Sequence, residues 1–133
     1  MKTVLTNGCF ELLHAGHVHF LQQAACFGDR LIVAVNTDES VAALKGAGRP
    51  LQPLAHRMDV LRALRCVDGV VSFSTPHVSQ LIRQLQPAVW IKGGDYTLGT
   101  LCMEEVIAAQ SVKAEIVILP CNEEHTSALL KRL

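Results

Sequence analysis

The chain is expected to fold as one α/β domain over residues 1–133, a Rossmann-like, doubly wound sheet of five parallel strands. Three observations carry this expectation. Five apolar, β-rich runs recur along the 133 residues, one about every 27, close to the ~30 of a βα unit. The runs lack polar alternation, as strands buried on both faces do. The segments between them place apolar residues at helical spacing.

The elements follow in order. Val4-Leu5-Thr6 is the first strand; it breaks at Asn7-Gly8 and leads to a helix opening near Gly16. Gly28 stops that helix, and Asp29-Arg30 enters the second strand, Leu31 to Val35. Asp38 reads as the N-cap of a helix from Glu39, with Asn36 a strand-end residue beside it. Leu54, Met58, Leu61 and Leu64 mark the next helix, and Val70 to Phe73 the third strand. Pro76 fits the first turn of a helix carrying Val78, Leu81, Ile82 and Leu85, and Pro87 closes it. Val89 to Ile91 and Ile116 to Leu119 complete the strands. Trp90 reads as core, and Lys113 as a solvated residue of a helix-to-strand turn.

Composition narrows the function classes. Half the residues are apolar and the formal charge is zero, so no basic stripe argues for nucleic acid. The longest aliphatic stretch, Leu31 to Val35, is too short to cross a bilayer, and no secretory signal is expected. Cys9, Cys26, Cys66, Cys102 and Cys121 are odd in number and scattered; they read as reduced thiols, and the protein as cytoplasmic.

In such sheets ligands collect beyond the carboxyl ends of the strands. Those ends are Asn7-Gly8-Cys9-Phe10, Asn36-Thr37-Asp38, Lys92-Gly93-Gly94-Asp95-Tyr96 and Pro120 to Ser127, all rich in groups that bind phosphate or hydroxyls. No P-loop and no dinucleotide fingerprint follows the first strand. His14-Ala15-Gly16-His17 stands there instead. A helix N-terminus offers unsatisfied N–H groups and partial positive charge, and two imidazoles three residues apart project to the same side. Phosphate chemistry is the expectation, with structural capping histidines and a metal site as rivals. A closed zinc site needs four ligands at recognisable spacing, and no second His/Cys cluster supplies them.

Thr6 to His17, with H-x-G-H at its end, resembles the first motif of the cytidylyltransferase-like nucleotidyltransferases. Asp29 to Asp38, Leu44 to Pro50 and Ile91 to Tyr96 are similar to the heptose 1-phosphate adenylyltransferases of ADP-heptose synthesis. The resemblance implies strand order 3-2-1-4-5, ATP as donor, Mg2+ carried in with ATP, a sugar 1-phosphate as acceptor, pyrophosphate as co-product and a homodimer. It makes His14, His17 and Lys45 catalytic. Nucleotide contacts would come from Asn7, Gly8, Cys9, Phe10, Gly16, Lys92, Gly94, Asp95, Thr126 and Ser127. Acceptor contacts would come from Glu11, Asn36, Asp38, Arg49 and Arg57. Glu11 replaces the family's usual Asp, His125-Thr126-Ser127 its S-T-T, and Ala55-His56 the Glu-Gln before Arg57. A cytidylyltransferase acting on glycerol 3-phosphate and a non-catalytic nucleotide-binding domain are the competing functions. The kinase that would make the sugar phosphate is expected as a separate protein.

Overall fold

In the computed structural model, residues 1–94 and 96–120 are described. The strands are β1 (Thr3–Gly8), β2 (Arg30–Asn36), β3 (Gly69–Phe73), β4 (Val89–Gly93) and β5 (Glu115–Leu119), and the helices α1 (Ala15–Ala25), α2 (Asp38–Lys45), α3 (Leu54–Arg62), α4 (Ser79–Leu85) and α5 (Met103–Ser111). The strands form one parallel sheet in the order β3-β2-β1-β4-β5.

Successive strand residues point to opposite faces, and each face is covered. Val4, Val33, Val35, Val89 and Ile91 pack on Phe20, Leu21 and Ala24 of α1 and Leu61 of α3. Leu5, Ala34 and Trp90 pack on Ile82 of α4 and on Ala108 and Ala109 of α5. Trp90 is fully buried, as expected, and its Nε1 donates to Asn7 Oδ1 at 3.0 Å.

Register fixes where the ligand edge lies. Asn36 pairs with Phe73, and β1 runs beside β2 as far as Gly8 and Val35. On its other side, β1 pairs with β4 only to Thr6 and Ile91. Strand order reverses here, so a crevice opens beyond these two strand ends.

Three expected boundaries move. Helix α1 ends at Ala25 with Cys26 as its C-cap. Gly28 is needed instead for close approach, since a Cβ there would lie 2.6 Å from the Lys2 carbonyl oxygen. The N-cap of α2 is Thr37, whose hydroxyl accepts from Ser40 N at 3.4 Å, and Asp38 is inside the first turn. Pro76 precedes α4, whose N-cap is Val78. Lys113 is exposed in the α5–β5 turn, as expected.

Candidate functional site

A cleft of about 400 Å³ occupies the crevice, within the size range of small-molecule sites. Asn7, Gly8 and Cys9 wall it from β1, Asn36 and Lys45 from β2 and α2, and Lys92 and Gly93 from β4. Phe73, His77, Tyr96, Thr100, Cys102 and Glu105 close the side toward α4 and α5.

The two histidines lie at the start of α1. His14 is its N-cap, in extended backbone, and its Nδ1 accepts from Gly16 N at 3.0 Å. An accepting Nδ1 places the proton of a neutral ring on Nε2, so His14 presents Nε2–H as a donor. His17 is 3% exposed; its ring centroid lies 4.0 Å from that of His14 and 5.7 Å from that of Phe10. The middle of H-x-G-H is thereby explained. A Cβ on residue 16 would stand 2.8 Å from His14 Cε1, so only glycine lets the ring cap the helix and stay beside His17. Gly16→Ala is expected to push the His14 ring aside and cut turnover roughly tenfold while the fold stays intact. Steady-state kinetics beside a thermal melt checks this.

Four cations expected at the site receive different partners. The guanidinium of Arg57, 1% exposed, donates to the carbonyls of Gln52, Cys9 and Asn36 and to Asp38 Oδ1, at 2.7–2.9 Å. Four of its five N–H donors are thus engaged inside the fold. Arg57 and Asp38, expected at the acceptor, pair with each other, Arg57 joins the ends of β1 and β2, and neither is among the residues that line the cleft. The Asn36 side chain likewise donates to Ser40 Oγ at 2.9 Å. Lys92 stands 3.9 Å from Glu105 and 4.9 Å from the Tyr96 ring centre. Glu11, expected at the acceptor, is buried and accepts from both Arg49 and Lys45.

Charge balance decides which cation group can receive an anion. Arg57 with Asp38 and Lys92 with Glu105 are neutral pairs. Glu11 has two cations, and so this cluster keeps one positive charge in excess. Burial works to raise the Glu11 carboxyl pKa, but the hydrogen bonds and charges of Arg49 and Lys45 outweigh it and hold the group below its ordinary value. The same hydrogen bond raises Arg49.

A stability prediction follows from the sign. A lowered folded pKa means that ionised Glu11 stabilises the protein fully above the unfolded value near 4.5, and that this is lost as pH falls through the folded pKa. Glu11→Gln is expected to melt lower than wild type at pH 7, with the gap narrowing below about pH 4.5. Melts from pH 7 to pH 3 check it; a gap constant over that range would show that the charge contributes nothing.

Of the residues expected at the site, the cleft brings together Asn7, Gly8, Cys9, Asn36, Lys45 and Lys92. His14, Gly16 and His17 are not among its lining residues; His17 packs on Phe10, which follows the lining residue Cys9. Phe10 is held at a φ of 49° and Gly94 at 124°, the second a conformation suited to glycine. Asp95, Thr126 and Ser127 lie outside the described residues, as does the departure at His125. The sequence reading missed His77 and Glu105. Glu105 had a legible signal, since Glu105, Ala108 and Ala109 share one face of α5 and all are buried; a lone carboxylate on an apolar face needs partners. Ligand atoms of His77, Cys102 and Glu105 lie within 4.8 Å of one another, a set separated too widely in sequence to be seen by spacing.

Comparisons with known proteins give the family and the fold. Residues 5–127 match the family model described as cytidylyltransferase-like. The chain is 48% identical over 136 residues to the bifunctional protein HldE of Pseudomonas paraeruginosa, covering 99% of this chain and 28% of that protein. It is 56% identical over 109 residues to the bifunctional protein HldE of Aliivibrio fischeri, covering 81% of this chain and 23% of that one. The chain thus spans about a quarter of the length of these relatives. Among solved structures, the lipopolysaccharide core biosynthesis protein of Thermoplasma volcanium superposes with a TM-score of 0.72 at 23% identity, over 92% of this chain and 97% of that one. The pantoate-beta-alanine ligase of Francisella tularensis, complexed with beta-gamma ATP and beta-alanine, gives 0.59 at 16% identity, over 90% and 59%. These two establish a shared fold. No helix among the described residues is long and apolar enough to cross a membrane.

Proposed function

The chain belongs to the cytidylyltransferase-like family, and from that premise we propose that it transfers AMP from ATP to a sugar 1-phosphate, specifically a heptose 1-phosphate. An oxygen of the acceptor's phosphate attacks the α-phosphorus, a new P–O bond forms, and the bond to the β-phosphate breaks with pyrophosphate leaving. The observation that carries this reading is the His14/His17 pair at a helix N-terminus, packed on Phe10 directly after a cleft residue, Cys9, with the Glu11, Lys45 and Arg49 cluster and its excess positive charge at the same cleft through Lys45. The 48% identity to a bifunctional HldE protein supports it, as do the segments that resemble heptose 1-phosphate adenylyltransferases.

Negative charge grows on the equatorial oxygens and on departing pyrophosphate. His14 Nε2–H and His17 are the donors for it, fixed by the cap hydrogen bond and by packing before ATP arrives. Lys45 holds a reacting phosphate. Backbone N–H groups beyond Gly8 receive the triphosphate, with the α1 N-terminus adding its dipole.

Among the described residues the cleft is lined by a single carboxylate, Glu105, already beside Lys92. That fits Mg2+ held by the phosphates and its own waters rather than by a protein cage. When bound, the ion neutralises charge on the triphosphate.

Pyrophosphate release, screened over ATP and CTP with heptose 1-phosphate, mannose 1-phosphate and glycerol 3-phosphate, tests the assignment. ATP with heptose 1-phosphate is expected to give the highest kcat/KM. A preference for CTP with glycerol 3-phosphate would transfer the chain to the other reaction, and release with none of the pairs would refute catalysis of this class.

A further inference from the structure

Resting on the acceptor reading above, we propose that the corner of the cleft formed by Glu105, His77 and Lys92 binds the hydroxyl groups of the acceptor. Glu105 there selects a polyhydroxylated sugar phosphate over a smaller one. Glu105 is 3% exposed and lies at the cleft wall. A carboxylate there must be paired. Its Oε2 accepts from Val78 N at 3.0 Å, and its Oε1 faces Lys92 Nζ at 3.9 Å, beyond hydrogen-bond length. A carboxylate can accept about four hydrogen bonds, so this one retains capacity toward the cleft.

The corner's electrostatics fix the kind of group it suits. Glu105 and Lys92 cancel, so the corner offers no net attraction to a phosphate, while the Glu11 cluster keeps its excess positive charge near Lys45. Sugar hydroxyls both donate and accept. A carboxylate receives their protons, and an ammonium and an imidazole donate to their oxygens. The acceptor is therefore oriented with its phosphate toward Lys45 and its polyol tail toward Glu105. His77, in the loop before α4, completes the corner from outside the helix that carries Glu105.

A metal ion is the competing occupant, because Cys102 joins His77 and Glu105 in a mixed donor set. The Lys92 ammonium disfavours it, standing 3.9 Å from the carboxylate oxygen that would serve as ligand.

Binding measurements on the full chain separate these occupants without requiring turnover. Heptose 1-phosphate, mannose 1-phosphate and ATP are titrated calorimetrically into wild type, Glu105→Gln and His77→Ala. Both substitutions are expected to weaken heptose 1-phosphate about ten- to hundredfold, the loss of hydrogen bonds to a charged group. ATP affinity should stay within about twofold, and the preference for heptose over mannose 1-phosphate should shrink. His77→Ala lies on a loop and guards against a folding defect in Glu105→Gln.

Unchanged heptose 1-phosphate affinity in both variants overturns the proposal, as does equal weakening of ATP or no binding by wild type. Glu105-dependent binding without pyrophosphate release would uphold the subsite while refuting adenylyl transfer. Cobalt(II) titration gives the last outcome: a thiolate-to-cobalt absorption band that is lost in Cys102→Ser would assign the corner to a metal and overturn the proposal.

Discussion

Removing the His17 imidazole is expected to lower kcat by about 10²–10³, the usual loss for one fixed donor aimed at transition-state charge. His17→Ala deletes a ring packed between Phe10 and His14, so some stability will go with it. His14 poses the harder control because it also caps α1. His14→Ala removes catalysis and cap together, and cap loss alone costs about 1 kcal/mol. His14→Asn separates the two roles: its amide oxygen still accepts from Gly16 N, while the donor at Nε2 is gone. Its kcat should fall as far as that of His17→Ala, with a melting temperature near wild type. Single-turnover pyrophosphate release at saturating ATP reads the chemical step. Turnover within twofold of wild type in both His14→Asn and His17→Ala would return the pair to its structural reading, helix capping and packing alone.

The parallel sheet was legible because its signals are local and redundant. Runs such as Leu31 to Val35 are apolar on both faces, and only a strand covered on both sides needs that. The H-x-G-H turn was legible for a similar reason, since cap, dipole and imidazole spacing act within four residues. Charge partners were not. Arg57 and Asp38 are 19 positions apart, Glu11 and Arg49 38, and Lys92 and Glu105 13, and nothing in the local pattern says that Arg57 turns inward to three carbonyls. Helix starts were displaced by a residue or more where two capping residues adjoin, as at Thr37 and Asp38, because either side chain can accept from the first turn. Glu105 was overlooked although its place on the buried face of α5, with Ala108 and Ala109, marked it.

Lys45→Ala is expected to reduce kcat/KM by about 10²-fold, against no measurable change for Lys113→Ala. The contrast rests on surroundings rather than residue type. Lys45 ends α2 at the cleft, its side chain 28% exposed and its Nζ 3.1 Å from Glu11, in a cluster with one positive charge in excess. Lys113 is exposed in the α5–β5 turn. Without Lys45, Glu11 and Arg49 become a neutral pair, and the cleft edge loses the charge that would draw a phosphate. Lys45→Arg keeps that charge but spreads it over a planar fork, so it should recover part of the activity while misplacing the donor. Because the attraction acts on phosphate, the wild-type advantage over Lys45→Ala should also narrow as salt is raised, though less than for a fully exposed charge. Initial rates of both lysine variants at two ionic strengths give the answer. Equal and small effects at positions 45 and 113 would identify Lys45 as surface charge and leave Arg49 as the cation that meets the phosphate.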